Sequence, residues 1–178
     1  MRSAVRTEAE SRAVSEGGRL EELYRRHGAD AVRLAYLLTG SHVLSEDLVH
    51  EAFVRLFGKF RDLRDPGAFE WYLRRTVVNL VRSHYRRVRV ERSYVERQGQ
   101  DRTESPQPPD QGAHDELWRA LLQLPERQRT AIVLRYYEDL SEARTAEVMA
   151  CPVGTVKSLA SRGMDRLREL MTRDELDE

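Results

Sequence analysis

The chain has 178 residues, which is enough for one large or two small domains. Its 30 Lys and Arg residues balance 30 Asp and Glu residues, so the overall charge excludes a uniformly basic or acidic protein and does not indicate a partner. A single cysteine excludes an internal disulfide, no apolar run is long enough to cross a membrane, and the charged N-terminus lacks a signal-peptide core, so we expect a soluble, cytoplasmic chain.

Helical periodicity dominates the N-terminal part of the chain. Runs of β-branched residues are few, and we predict an all-α protein. Residues 1–18 are charged and end in glycine, which predicts a disordered tail. Apolar positions between Leu20 and Leu38 then predict one or two helices that end near Gly40.

The next predicted helix spans residues 45–60 and has one apolar face. Ser45 is its predicted N-cap. Asp47, His50 and Glu51 lie on the polar side, where plain solvation is the ordinary explanation and docking onto a basic partner is the functional one. A zinc-protease motif is absent, because Val54 stands where it would need a second histidine.

A loop with an Asp-Pro-Gly core is predicted at residues 61–69, followed by a helix at about 70–92. One side of this helix is basic, and because like charges repel one another at close range, a polyanion is its natural partner. Trp71 and Tyr72 lie beside the basic side, where they suit stacking on single-stranded bases or, equally well, packing in the core. The basic side comprises Arg75, Asn79, Arg82, Arg86 and Arg89.

Residues 98–114 are rich in proline and glycine and almost free of apolar residues. They predict a flexible linker between a first helical domain at 19–97 and a second at 115–172, before an acidic tail at 173–178. In the second domain, Ala131, Ile132, Leu134, Tyr136 and Tyr137 are expected to supply a buried face.

Residues 139–171 have the pattern of a helix-turn-helix. Ser141 is a predicted N-cap, Pro152 interrupts the periodicity, and a second helix is expected to restart near Thr155. Outside its apolar arc this helix carries small polar and cationic residues, as helices that enter the DNA major groove do. An ordinary amphipathic hairpin is the alternative explanation, and Cys151 is best explained as a small packed residue.

Four collinear motifs resemble those of one family, the extracytoplasmic-function (ECF, group 4) sigma factors of bacterial RNA polymerase, in the sigma-70 family. In this chain the segment SEDLVHEAFVRLF resembles the helix of sigma domain two that docks on core polymerase. The segment FRDLRDPGAFEWYLRRTVVNLVRSHYRR resembles the part of the same domain that melts and reads the minus-ten element. Sigma domain four, which binds the minus-thirty-five element, has segments similar to LPERQRTAIVLRYYEDLS and CPVGTVKSLASRGMDRLREL.

The resemblance implies two small helical domains in a promoter-specificity subunit that performs no catalysis and holds neither cofactor nor metal. Its implied partners are core RNA polymerase, promoter DNA and an anti-sigma factor. The core-binding motif is matched by Asp47, Leu48, Glu51 and Phe53. The minus-ten positions are matched by Arg61, Phe69, Trp71, Arg75, Asn79, Arg82 and Arg86. The minus-thirty-five positions are matched by Thr155, Lys157, Ser158, Ser161 and Arg162.

The chain departs from the family pattern at several positions. His50 replaces Gln, Thr145 replaces Ile, Ala150 replaces a turn Gly, Leu159 replaces Arg, and Gly163 replaces Ala. A glycine inside a helix costs up to about 1 kcal/mol relative to alanine.

Two other functions are conceivable from sequence. A stand-alone helix-turn-helix transcriptional regulator would need a dimer interface, and no sustained heptad pattern supplies one. A nuclease would need a carboxylate cluster for metal, and none stands out in the sequence.

Overall fold

A computed structural model describes the backbone of residues 2–59, 66–97 and 116–174. Throughout this part of the chain the secondary structure is helical, without a strand, which confirms the predicted all-α class. The predicted linker at 98–114 lies outside the described residues. The helices are α1 (Arg2–Thr39), α2 (His42–Lys59), α3 (Pro66–Arg97), α4 (Glu116–Gln123), α5 (Glu126–Ile132), α6 (Glu142–Met149) and α7 (Val153–Asp174), and a π-helical turn (Val133–Tyr137) continues α5.

Helices α1, α2 and α3 pack against one another around a shared apolar core that includes Leu38, Val49 and Val77. Two predicted boundaries are wrong. Helix α1 begins at Arg2, inside the predicted tail, because residues 2–18 are rich in the strong helix formers Ala, Glu and Arg. Helix α3 begins at Pro66, inside the predicted loop, since a proline in the first turn gives up no intrahelical hydrogen bond.

The start of α2 also differs from the prediction, because Ser45 is not its cap. Gly40 ends α1 with φ +76°, and the chain turns so tightly that α2 starts at His42. The Ser41 hydroxyl accepts a hydrogen bond from the Leu44 amide at 3.4 Å. Ser45 is fully buried, and its hydroxyl donates to the Ser41 carbonyl at 2.6 Å. Ser41 therefore caps the helix.

Close packing of α5 on α7 explains the glycine at position 163. A Cβ atom there would lie 2.8 Å from Ile132 Cδ1 and 3.2 Å from Gln128 Cβ. The near approach of α5 and α7, which a side chain at position 163 would prevent, therefore offsets the loss of helix propensity at Gly163.

The π-helical turn places two tyrosines on the surface, where the sequence predicted burial. The Glu138 amide donates to the Val133 carbonyl at 3.0 Å, five residues back, so this turn is wider than an α-helical one. The α-helical register is lost at this point, and Tyr136 and Tyr137 are 61% and 48% exposed. Both side chains lie on the surface.

The turn between α6 and α7 forces a non-glycine residue into a left-handed conformation. Ala150 has φ 50° and ψ 53°, and its amide and that of Cys151 satisfy carbonyls at the end of α6. An L-residue with a Cβ atom is strained in this region, whereas glycine is not.

We predict that Ala150→Gly raises the free energy of unfolding by about 1 kcal/mol, because it removes this backbone strain. Ala143→Gly is the matched control: Ala143 is an exposed residue inside α6, so the same change should lower stability. Urea unfolding followed by circular dichroism measures both, and equal signs for the two variants would contradict the prediction.

Candidate nucleic-acid interface

The basic side of α3 is the first candidate surface. Asn79, Arg82 and Arg86 are exposed along one face, while Arg75 is half-buried with its guanidinium carbon 5.3 Å from the centre of the Trp71 ring. Within the described residues neither Arg82 nor Arg86 forms a salt bridge. Both guanidinium groups are exposed and free of a direct ion pair there, so they can bind phosphates.

Arginines supply the positive charge of this side. On the other side of the helix, burial and the neighbouring Arg87 lower the pKa of His84 below its ordinary value, which favours the neutral imidazole. Arg89 differs from Arg82 and Arg86, because its guanidinium lies 3.6 Å from the Glu126 carboxylate.

Aromatic residues at the start of α3 divide between surface and core. Trp71 is half-buried, Tyr72 is 39% exposed, and their rings meet edge to face at 4.8 Å. Phe69 is only 3% exposed and packs against Phe53 at 5.6 Å between ring centres. Its assignment as a DNA-contacting residue is corrected, because it shares the buried face of α3. Arg61 lies outside the described residues.

The polar side of α2 is the second candidate surface. Asp47 and His50 are exposed, and the half-buried Glu51 pairs with Arg55 one turn later. Leu48 and Phe53, the other two motif residues, are 4% and 3% exposed. Packing on α1 and α3 removes them from contact with a partner, so they shape the helix from inside while the carboxylates face outward.

The helix-turn-helix is the third candidate surface. The Ser141 side chain accepts a hydrogen bond from the Arg144 amide at 3.2 Å, which confirms it as the cap of α6. Helix α7 starts at Val153, two residues before the predicted restart, because Pro152 precedes it. Cys151 is half-buried and packs against the apolar core.

The N-terminal half of α7 presents the predicted recognition residues. Lys157, Ser158, Ser161 and Arg162 are exposed and Thr155 is half-buried. The Arg162 Nε–H donates to the Ser158 carbonyl at 3.1 Å, which orients the guanidinium along the helix. The Lys157 ammonium lies 3.4 Å from the Glu142 carboxylate of α6.

A groove of about 440 Å³ runs beside this face, and two arginines that the sequence motifs had not indicated line it. Arg135 comes from the π-helical turn, and Arg168 lies two turns beyond Ser161 on α7. Arg168 could have been found from its helical spacing to Ser161, whereas Arg135 could not, because the π-helical turn changes the register.

Within the described residues no group of three or more His, Cys, Asp and Glu side chains is arranged to hold a metal ion. Among the same residues, no helix has the length and apolar character that crossing a membrane requires.

The chain matches known families and relatives over most of its length. The family model of sigma-70 region 2 matches residues 23–90, and that of sigma-70 region 4 matches residues 114–167. The RNA polymerase sigma-E factor of Streptomyces coelicolor is 30% identical over 162 residues, which cover 88% of each chain. The chain belongs to the ECF sigma factors of the sigma-70 family. This membership makes it a promoter-directing subunit and decides against a stand-alone helix-turn-helix regulator.

A second relative agrees with the assignment, and two solved structures share the fold. The ECF RNA polymerase sigma factor SigE of Mycolicibacterium smegmatis is 35% identical over 159 residues, which are 86% of this sigma factor and only 62% of that relative. The sigma factor RpoE of Bartonella quintana, solved with the anti-sigma factor NepR, superposes with a TM-score of 0.66 at 24% identity over 85% of this chain and 96% of that one. CnrH, solved with the cytosolic domain of CnrY, gives 0.60 at 23% identity over 87% and 88%. At these identities the two structures support the fold.

Proposed function

We propose that this sigma factor uses three separate surfaces for its task. The polar side of α2 binds core RNA polymerase, the basic side of α3 binds and helps to melt the minus-ten element, and the start of α7 binds the minus-thirty-five element. The observation that carries the proposal is the exposure of Arg82 and Arg86 on α3 and of small polar and cationic side chains on α7, both within the regions that the two family models match. No chemical step is assigned to the chain, and it acts in the cytoplasm with the polymerase.

In this proposal residues 19–97 form sigma domain two and residues 115–172 form sigma domain four, with 98–114 as the linker. An anti-sigma factor is a proposed third partner, since the Bartonella sigma factor was solved with one.

At the minus-ten element, Arg75, Arg82 and Arg86 hold the backbone while Trp71 and Asn79 contact an extruded base. Extrusion costs a few kcal/mol of unstacking, which stacking on the indole and a hydrogen bond from the amide offset. Asn79 is suited to this role because it is an exposed amide between cations on one face of α3.

At the minus-thirty-five element, Lys157 and Arg162 supply phosphate or guanine contacts, and Ser158 and Ser161 supply adaptable hydroxyls. Such direct contacts give sequence preference, since each wrong base pair in a site costs about 1–3 kcal/mol.

We predict that Lys157→Ala with Arg162→Ala weakens binding to duplex promoter DNA and lowers the slope of log affinity against log salt by about 2, one unit for each lost phosphate contact. Arg25→Ala with Arg26→Ala on α1 removes the same charge outside the helix-turn-helix and should leave the slope unchanged. Fluorescence anisotropy of the holoenzyme on promoter DNA at several salt concentrations measures the slope. An unaltered slope in the α7 variant would show that this face does not contact DNA phosphates.

A further inference from the structure

Helix α3 continues past the part of the chain that the family model of sigma-70 region 2 matches. The match ends at residue 90, whereas α3 ends at Arg97, and we call residues 90–97 the extension. Two large apolar side chains are exposed there, because Val90 is 50% and Tyr94 62% accessible to solvent. They are four residues apart in a helix, so they are neighbours on one face of the extension.

This face continues the proposed minus-ten surface. At about 100° per residue, Val90 lies about 20° and Tyr94 about 60° around the helix from Asn79, and Arg86 lies about 20° away on the other side. Arg86 and Arg87, which precede Val90 by one turn, are exposed. One exposed face therefore runs from Asn79 to Tyr94, which is about 22 Å along the helix axis.

The covalent length between the two domains limits how far apart they can bind on a promoter. Elements at minus thirty-five and minus ten are about 25 base pairs apart, which at 3.4 Å per pair is about 85 Å. The segment from Arg97 to Glu116 cannot span more than about 66 Å even when it is fully extended. The domain from Glu116 onward adds about 27 Å, the diameter expected from its number of residues.

This limit decides which way the extension points on the DNA. Helix α3 is about 27 Å long from Asn79 to Arg97. If the extension pointed away from the minus-thirty-five element, the total reach from Asn79 to α7 would fall to about 66 Å, which is too short for the spacing of the two elements. The extension therefore points toward that element and lies over the DNA directly upstream of the minus-ten element.

The chemistry of the extension suits the major groove of that DNA. Upstream of the melted element the DNA is base-paired, since a helix-turn-helix at minus thirty-five binds duplex. The major groove admits an α-helix, and the thymine methyl is the apolar group that base edges present there. The Val90 methyls and the Tyr94 ring can contact such methyls, while Arg86 and Arg87 reach phosphates.

We propose that the extension binds the duplex directly upstream of the minus-ten element and adds a preference for T·A pairs there, through Val90 and Tyr94. This inference rests on the proposed role of α3. Because these residues lie 11 and 15 positions beyond Asn79, their contacts fall about five to seven base pairs upstream of the extruded base.

The position of the extension on DNA is tested by cleavage from an iron chelate on a cysteine. Cys151→Ser provides the background, since Cys151 is the single cysteine of the chain. Tyr94→Cys is labelled, assembled with core polymerase, and placed on a promoter fragment that the wild-type holoenzyme selects from a random library. We expect hydroxyl-radical cleavage about five to seven base pairs upstream of the minus-ten element.

Two further cysteines complete this experiment. Arg92→Cys is the matched control: it is exposed in the same turn but about 160° around the helix from Tyr94, so it should cleave that segment less. Asn79→Cys reports on the proposed minus-ten surface by itself and should cleave at the minus-ten element.

Base preference is tested by the affinity of the holoenzyme for two versions of the same promoter. One version has six T·A pairs directly upstream of the minus-ten element, and the other has six G·C pairs. We expect wild type to bind the T·A version about tenfold more tightly, and Val90→Ser with Tyr94→Ser to bind both equally. Glu91→Ser with Arg92→Ser should keep the preference, because it removes two exposed side chains from the same turns without changing the net charge.

The outcomes distinguish this inference from the function on which it rests. Cleavage at the minus-ten element from Asn79→Cys, without upstream cleavage from Tyr94→Cys, would overturn the extension contact and leave the minus-ten role of α3 standing. Failure of Asn79→Cys to cleave near that element would overturn both. A preference that is equally strong in wild type and in the Val90 and Tyr94 variant would show that these side chains do not read the duplex.

Discussion

Replacement of Asp47 and Glu51 by lysine on the polar side of α2 is expected to abolish association with core RNA polymerase. Both carboxylates face outward, and the buried Leu48 and Phe53 that hold the helix in place are unchanged. Close charge pairs at protein interfaces have coupling energies of about 1.5–7 kcal/mol, and reversal turns attraction into repulsion, so we expect at least about a 100-fold loss of affinity.

Co-purification and fluorescence titration with core enzyme measure this loss. Glu21→Lys with Glu169→Lys is the control, since it makes the same change of charge on α1 and α7, at exposed residues away from α2. Circular dichroism checks that Glu51→Lys, which places a second cation beside Arg55, does not unfold α2. If a folded variant still associates with polymerase, the polar side of α2 is not the docking surface.

Arg82→Ala with Arg86→Ala is the second change with a large expected effect. Neither arginine has a salt-bridge partner in the described part of the chain, so their loss should cost little stability. Hydrogen bonds to charged groups are worth about 1.5–3 kcal/mol, and loss of two phosphate contacts should lower the yield of open promoter complex about 100-fold or more.

Permanganate footprinting of holoenzyme on promoter DNA measures the melted bases, and native gels measure polymerase binding, which should be unchanged. Arg25→Ala with Arg26→Ala, on the exposed side of α1, removes two arginines from one helix without touching α3. Normal melting by the α3 variant would exclude its basic side from the minus-ten interaction.

Local periodicity was sufficient to predict α7. Val156, Leu159, Ala160, Gly163 and Leu167 are all buried, as their 100° spacing indicated, because a surface helix must turn its apolar arc to the core. The cap at Ser141 followed from equally local chemistry, in which a side-chain oxygen satisfies an amide in the first turn.

Features that depend on tertiary contacts were not predictable in this way. Phe69 resembled a base-stacking residue by motif but is buried, because its ring packs against Phe53 of α2 and His27 of α1. Ser45 has the residue type of an N-cap, but Gly40 ends α1 in a tight turn, so α2 starts before Ser45. Arg74 and Glu138 form an ion pair although they lie 64 residues apart in sequence, and no periodic pattern encodes such a pair.

Transcription from a library of random promoter fragments, with purified core polymerase and the full chain, tests the central claim most directly. The account predicts that transcripts start only when the chain is present and that their templates share two conserved elements, one at minus ten and one at minus thirty-five. Polymerase that binds the chain yet starts without selecting such elements would contradict it.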